Sequence, residues 1–346
     1  MNRRPAKAVT GFTLIELMVA MLLGLIVIGG VTSVFLANQQ VYRSNSALSD
    51  VQDNTRMSFE MLADNIREAG LLGCSNNGQV ANVLWDSPNN GGTDWWANWS
   101  NALMGYGSGT ATNTVLTTGT AATNQVAGTD SLMILSAADI GMSVNTQSTS
   151  ANTFTLNVNG NSSDLAANTI MIVCDPWQAT IFRASSYTAG TTPVIGYALG
   201  SKTNCSTGLG YPTVCTAGGN AYTYAANSPI ATLAAGVWYL GYNGVTTGST
   251  SLYLATVNTA TGTVAFQEMV RGVTAMHITY NMANATSFVA ASAVTSWSSV
   301  DAVQVNLTVQ QSSGVNAGTY TGANTAAAAP IQRNYIFTST VRNRVQ

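Results

Sequence analysis

An uninterrupted apolar run from Phe12 to Leu36 governs what this chain can become, because it is about as long as a membrane span and Glu16 is its one charged residue. No proline occurs between Phe12 and Ala69. Beyond the run, apolar residues recur at Val41, Leu48, Val51, Phe59, Leu62 and Ile66, mostly at helical spacing, which predicts one long helix. Asp53, Arg56, Glu60, Asp64 and Arg67 fall between them, with opposite signs three or four residues apart, as suits an exposed face. Gly70 follows as a stop signal. At 1.5 Å per residue such a helix is ~87 Å long, far beyond a bilayer, so its second half must pack on the rest of the chain. Gly24, Gly29 and Gly30 are weak points in the span, suited either to local bending or melting or to close packing against a neighbouring helix.

The run is preceded by Arg3, Arg4 and Lys7, and no A-x-A-like cleavage site follows it closely. That order predicts a retained anchor with its N-terminus in the cytoplasm and the bulk of the chain exported. A carboxylate near the middle of a membrane helix costs roughly 2.5–3.5 kcal/mol, so Glu16 is expected to be functional and to have a partner.

Only 8% of the 346 residues are charged, with 12 basic against 14 acidic, so the exported part is polar but nearly uncharged and has no basic footprint for nucleic acid. The four cysteines, Cys74, Cys174, Cys205 and Cys215, contain no close pair of the zinc-binding kind, and His277 is the single histidine, so no metal or other cofactor is expected. An even count behind a membrane-targeting start favours an oxidising compartment and two disulfides. Three connectivities are open, and Cys205 with Cys215 plus Cys74 with Cys174 is preferred, against free buried thiols. No nucleophile elbow, phosphate loop or zinc-protease motif occurs, and Asp130, Asp139, Asp164, Asp175 and Glu268 are scattered, so enzymatic activity has no positive support. His277, in "MHITY", reads as a structural histidine on a strand.

Beyond Cys74 the composition shifts to Gly, Asn, Thr and Ser. The Trp-rich stretch from Trp85 to Trp99 and the segment from Gly105 to Asp130 read as a long loop or weak β excursion, its tryptophans packed or half-packed rather than forming a sugar-stacking surface. From "SLMIL" at Ser131 onwards, short β-branched and aromatic segments alternate with turn residues, and Ser251–Val270 predicts a hairpin.

"GFTLIE" resembles the type IV prepilin motif. The resemblance implies that a prepilin peptidase cuts between Gly11 and Phe12, that Phe12 becomes the methylated N-terminus, and that Glu16, fifth after the cut, is an assembly contact. The chain resembles minor pilins of the PilW type over most of its length. "NIREAGLLGC" (Asn65–Cys74) looks like the family's helix end and first cysteine, "VCDPWQATIFR" (Val173–Arg183) like its central strand pair, and "MVRGVTAMHITYN", "DAVQVNLTVQ" and "RNYIFTSTVRNR" like its closing strands. The implied fold is α+β and type IV pilin-like: a long N-terminal hydrophobic helix packed on an antiparallel β-sheet domain with Gly/Thr/Asn-rich loops. It divides into a leader (1–11), a transmembrane and filament-core helix half (12–36), an amphipathic helix half (37–73) and an exported disulfide-containing β-rich domain (74–346).

The implied job is a minor pilin that helps start pilus assembly and sits at or near the filament tip, supporting twitching motility and adhesion. Its partners would be other minor pilins and the major pilin, a tip-associated adhesin, the prepilin peptidase, the inner-membrane assembly platform and, before assembly, membrane lipid. Its location would be the inner membrane first and then the pilus, from periplasm to cell surface. A minor pseudopilin of a type II secretion system shares the leader, helix and tip position, and a membrane-anchored enzyme or sugar-binding protein is the rival from another class.

Overall fold

The computed structural model of the chain describes residues 13–74, 79–85, 92, 94–107, 114–158, 165–311 and 330–342. It divides into two compact units, one within Met1–Val51 and Gln311–Ile331, the other within Gln52–Gln310 and Gln332–Gln346. Helix α1 (Leu14–Glu68) contributes to both.

In the first unit α1 is built from Leu, Ile, Met, Val and Ala and runs through Gly24, Gly29 and Gly30 without a break. The hydroxyls of Thr32 and Ser33 donate to the carbonyls of Ile28 and Gly30 at 2.7 and 2.8 Å. These bonds give the polar side chains partners without water.

The second unit holds two sheets. The larger has the order β1 (Val80–Asn82), β6 (Ala179–Arg183), β5 (Ile170–Cys174), β9 (Pro229–Tyr242), β3 (Ser131–Ser148), β4 (Thr153–Val158), β8 (Val194–Gly196), β7 (Ser186–Thr188). β10 (Thr250–Val257) also pairs with β9, β11 (Val264–Arg271) with β10, and β2 (Leu103–Tyr106) with β3. The smaller sheet has the order β13 (Val289–Ala290), β12 (Val273–Met282), β14 (Val300–Gln310), β15 (Gln332–Thr340). The long strands β3 and β9 are the frame of the larger sheet, each flanked by two shorter strands along its free side.

From Gln52 onwards α1 is amphipathic in fact. Ser58, Leu62, Ile66 and Ala69 are buried at three- and four-residue intervals, and full burial of a leucine or isoleucine contributes about 1.5–3 kcal/mol. Phe59 meets Phe337 of β15 edge-on at 4.8 Å, the Ser339 hydroxyl donates to the Ala63 carbonyl at 3.3 Å, and the Trp238 indole donates to Asn65 Oδ1 at 3.2 Å. Gly70, at φ +74°, ends the helix in the left-handed region, and its N–H donates to Leu135 O of β3 at 2.8 Å.

The expected helix and the Ser251–Val270 hairpin are present, the latter as β10 and β11. Three features depart from the sequence reading. The sheet region is two sheets rather than one, and β1 runs parallel to β6. β3 continues through the polar stretch Ser136–Ser148, because a register shift between Asp139 and Met142, with Gly141 at φ +66°, breaks the alternation without ending the strand. The Trp-rich stretch contributes two 3-10 turns, Trp95–Ala97 and Trp99–Asn101, in place of a loop or β excursion; as expected, their tryptophans pack against the core cluster of β3, β5 and β9, while Trp85 is 46% exposed.

Gly105 of β2 lies directly under Tyr280 of β12: a Cβ added there would overlap the tyrosine hydroxyl and ring. Tyr280 is fully buried, stacks edge-on with Trp297 at 4.9 Å, and its hydroxyl has no hydrogen-bond partner among the described residues. Gly105→Ala is therefore expected to destabilise the second unit by about 1–3 kcal/mol, and adding Tyr280→Phe should recover part of it, since the deleted hydroxyl is the nearest clash and forms no bond. Denaturant midpoints of the single and double variants check this; no recovery would contradict the assigned contact.

Candidate assembly site on the N-terminal helix

The helix begins at Leu14, so Glu16 occupies its first turn. An acid in the first turn meets the positive end of the helix dipole and lies close to the end of the apolar segment. Glu16 is the third residue after Thr13, whose side-chain oxygen accepts from the Glu16 N–H at 3.3 Å, while the Thr13 hydroxyl lies 3.4 Å from Glu16 Oε2. Together they form a T-x-x-E variant of the capping box. The T-x-x-E spacing of "TLIE" carries that cap in the sequence.

Around and beyond Glu16 the helix is apolar on every side. Leu14, Ile15, Leu17, Met18, Met21, Leu22, Leu25, Ile28, Val31 and Phe35 are all exposed, Ile28 at 67%. A Cβ built on Gly24, Gly29 or Gly30 meets nothing within 4 Å. A helix with an apolar surface all round is stable only inside lipid or among other apolar helices, since each such side chain left in water forgoes about 1.5–3 kcal/mol. The helix is long and apolar enough to cross a membrane by length and composition. Tyr42 and Arg43 follow the apolar segment, an arrangement suited to a membrane boundary. The cut-site residues Gly11 and Phe12 lie outside the described residues.

The four cysteines belong to the second unit. Cys74 is bonded to Cys174, with Cα atoms 6.2 Å apart across a sequence separation of 100, and Cys205 to Cys215, at 4.9 Å across a separation of 10. The first bond fixes the end of the helical segment to β5; the second closes the loop beside β1, where Cys205 N–H donates to Val83 O at 2.8 Å. Glu16 belongs to the other unit.

The scattered acids serve the fold. Asp130 Oδ2 accepts from the Ile278 N–H at 2.7 Å and lies 3.8 Å from the 66%-exposed His277 ring, Asp139 accepts from Gly141, and Glu268 is paired with Arg271. Asp164 lies outside the described residues. Asp175 caps the β5–β6 turn through the N–H groups of Trp177 and Gln178, and accepts from the Tyr222 hydroxyl at 2.6 Å. Burial first, and then that bond to Asp175, push the Tyr222 phenol up to about 12. A phenol whose folded pKa lies above its unfolded value of 10.0 contributes stability that is complete below pH 10 and lost as pH rises through about 12. The denaturant midpoint should fall across that window, and Tyr222→Phe should flatten the fall; an unchanged slope in the variant would contradict the assignment.

Compared with known protein families, residues 237–344 match the Type IV Pilus-assembly protein W family and residues 7–32 match the Prokaryotic N-terminal methylation motif. The first match runs from the end of β9 through β15 and includes the three closing blocks read in the sequence; the second includes Gly11, Phe12 and Glu16. The blocks at 65–74 and 173–183 fall outside both, so the matched portion is smaller than the resemblance read from the sequence. No curated protein and no solved structure matches the chain.

Proposed function

We propose that this chain, a pilin of the PilW type, acts as a minor subunit that helps initiate type IV pilus assembly and occupies the filament tip or its neighbourhood, in support of twitching motility and adhesion. The observation that carries the proposal is the helix from Leu14 onwards, apolar on all sides with one carboxylate in its first turn, inside a segment matching the methylation motif. Such a helix needs lipid before assembly and neighbouring helices after it. In this reading the leader is 1–11, the core-forming half of the helix 12–36, its amphipathic half 37–73 and the exported domain 74–346, with the two disulfides formed after export.

Glu16 is then the contact that fixes axial register, pairing with the terminal amine of Phe12 in a neighbouring subunit. The helix offers a competing use, the cap with Thr13, and the two are separable because a cap needs only a hydrogen-bonding side chain whereas an ion pair needs charge. Other minor pilins, the major pilin, a tip adhesin and the inner-membrane platform are the partners this role requires.

Cleavage tests the anchor reading. In cells that contain a prepilin peptidase, the mature chain should begin at a methylated Phe12, and Gly11→Val should leave the leader attached. A mature N-terminus before Phe12, or one beyond Leu36 that removes the helix, would overturn the proposal.

A further inference from the structure

The turn from β9 into β10, "NGVTTGSTS" from Asn243 to Ser251, has no charge of its own, yet it folds against one. β9 and β10 pair up to Tyr242↔Thr250, which sets Asn243 at the mouth of the turn and Ser251 just inside the sheet. On the other side of β10, the register shift between Leu252 and Tyr253 places Glu268 of β11 opposite Tyr253, and its carboxylate reaches back to Ser251. Ser251 is fully buried, and Asn243 and Glu268 are half-buried beside it.

Each group that an acyl transfer needs is within reach of the next. The Ser251 hydroxyl donates to Glu268 Oε1 at 2.8 Å, and the Asn243 amide nitrogen donates to Ser251 Oγ at 2.9 Å. The oxygen of that amide, Asn243 Oδ1, accepts from the Val245 N–H at 3.0 Å and from the Ser249 hydroxyl, which also reaches Thr246 O at 2.7 Å. Arg271 holds the carboxylate, its Nε 3.0 Å from Oε1 and its Nη2 3.1 Å from Oε2 of Glu268. A hydroxyl with a carboxylate as proton acceptor, set against a carbonyl whose oxygen faces two donors, is the arrangement by which serine nucleophiles form acyl bonds. An Asn-Gly turn needs only the contact with the Val245 N–H to close; the buried hydroxyl and the carboxylate behind it are additional.

We infer that Ser251 and Asn243 are the partners of an intramolecular ester bond, which the chain forms on itself with loss of ammonia. Ser251 Oγ attacks Asn243 Cγ from above the amide plane, after rotation about the Asn243 Cβ–Cγ bond, and its proton passes to Glu268. The negative charge that develops on Asn243 Oδ1 is met by the Val245 N–H and the Ser249 hydroxyl. The Cγ–Nδ2 bond then breaks, the departing nitrogen takes the proton back from Glu268, and ammonia leaves; the carboxylate is restored and nothing further is consumed. Holding the two groups within hydrogen-bond distance around a buried hydroxyl supplies the effective concentration, and the escape of ammonia draws the reaction forward. The product fastens β9 to β10 covalently at their turn.

The test is a peptide map of the full-length chain purified from membranes of cells that express it. Chymotrypsin cuts after Tyr242 and after Leu252 or Tyr253, so the fragment that begins at Asn243 should be lighter than its sequence by one ammonia, about 17 Da. Its fragmentation spectrum should show no backbone break between Asn243 and Ser251, since the bond closes a ring there, and mild alkali should open the ring by adding one water. Ser251→Ala should restore the full mass. Glu268→Gln keeps a hydrogen-bonding side chain without the base, and should lower the yield of the light fragment by about tenfold or more. Both variants should retain the Cys74–Cys174 and Cys205–Cys215 bonds in a non-reducing map, which separates a lost ester from a lost fold; should either misfold, the wild-type fragment decides by itself. A wild-type fragment of full mass would overturn the inference. So would a full series of backbone breaks with the deficit confined to Asn243 and Gly244, the mark of a succinimide, or a light fragment that persists in Ser251→Ala or is undiminished in Glu268→Gln.

Discussion

Trp238→Ala is expected to lower the stability of the second unit by about 3–5 kcal/mol and to release the C-terminal turns of α1 before the sheets unfold. Trp238 sits on β9, the strand that joins β3, β5 and β10, and is 1% exposed. Its indole N–H is also the side-chain hydrogen bond from β9 to the helix, at 3.2 Å to Asn65 Oδ1. Truncation thus leaves a cavity of indole size, and removes a bond whose acceptor lies between the buried Leu62 and Ile66 in the helix. Trp238→Phe should recover most of the packing and not the bond, placing it between wild type and alanine. Denaturant unfolding gives the overall loss, and hydrogen exchange of amides in 58–68 against those of β3 gives the order. A loss below about 1 kcal/mol, or helix and sheet amides weakened equally, would mean that Trp238 does not hold the helix to the sheet.

How much of this was legible in the chain depends on whether the signal was local. The helix was, because its apolar residues and missing prolines act within a few turns; among the described residues it runs from Leu14. The closing strands were also legible, since β12 and β14 alternate buried and open positions over most of their length. The first half of β9, Pro229–Gly236, is not legible as a strand, because it is rich in Ala and becomes one through pairing with β3 and β5, distant in sequence. The parallel β1 is three residues long, too short for any periodicity to reveal. At the candidate site, Glu16 was evident as a charge in an apolar run, while its cap with Thr13 depends on the helix starting at Leu14, which the apolar run alone does not fix.

Glu16→Ala is expected to leave the chain cleaved, inserted and folded, and to remove it from assembled filaments. In the lone chain Glu16 is exposed at the helix start, with Thr13 as its side-chain partner among the described residues, so its removal costs the second unit nothing and leaves insertion near normal. In a filament, by contrast, the amine of a neighbouring Phe12 would be left without its counter-charge in an apolar core, a loss of about 3–5 kcal/mol for a buried pair broken on one side. Glu16→Gln keeps a hydrogen-bonding side chain but not the charge, and should recover at most part of the defect. Thr13→Ala removes the cap and keeps the charge, and should assemble nearly as wild type does. If the cap were the purpose of Glu16, the order of these variants would reverse, with Thr13→Ala impaired and Glu16→Gln normal.

The most direct measurement is the amount of the chain in sheared pili relative to the membrane pool, at matched expression, for wild type, Glu16→Ala, Glu16→Gln and Thr13→Ala. An intersubunit ion pair predicts a ratio lowered by about tenfold or more for Glu16→Ala, a partial loss for Glu16→Gln and little change for Thr13→Ala. Equal ratios for wild type and Glu16→Ala with normal piliation, or absence of the wild-type chain from sheared pili, would contradict the account.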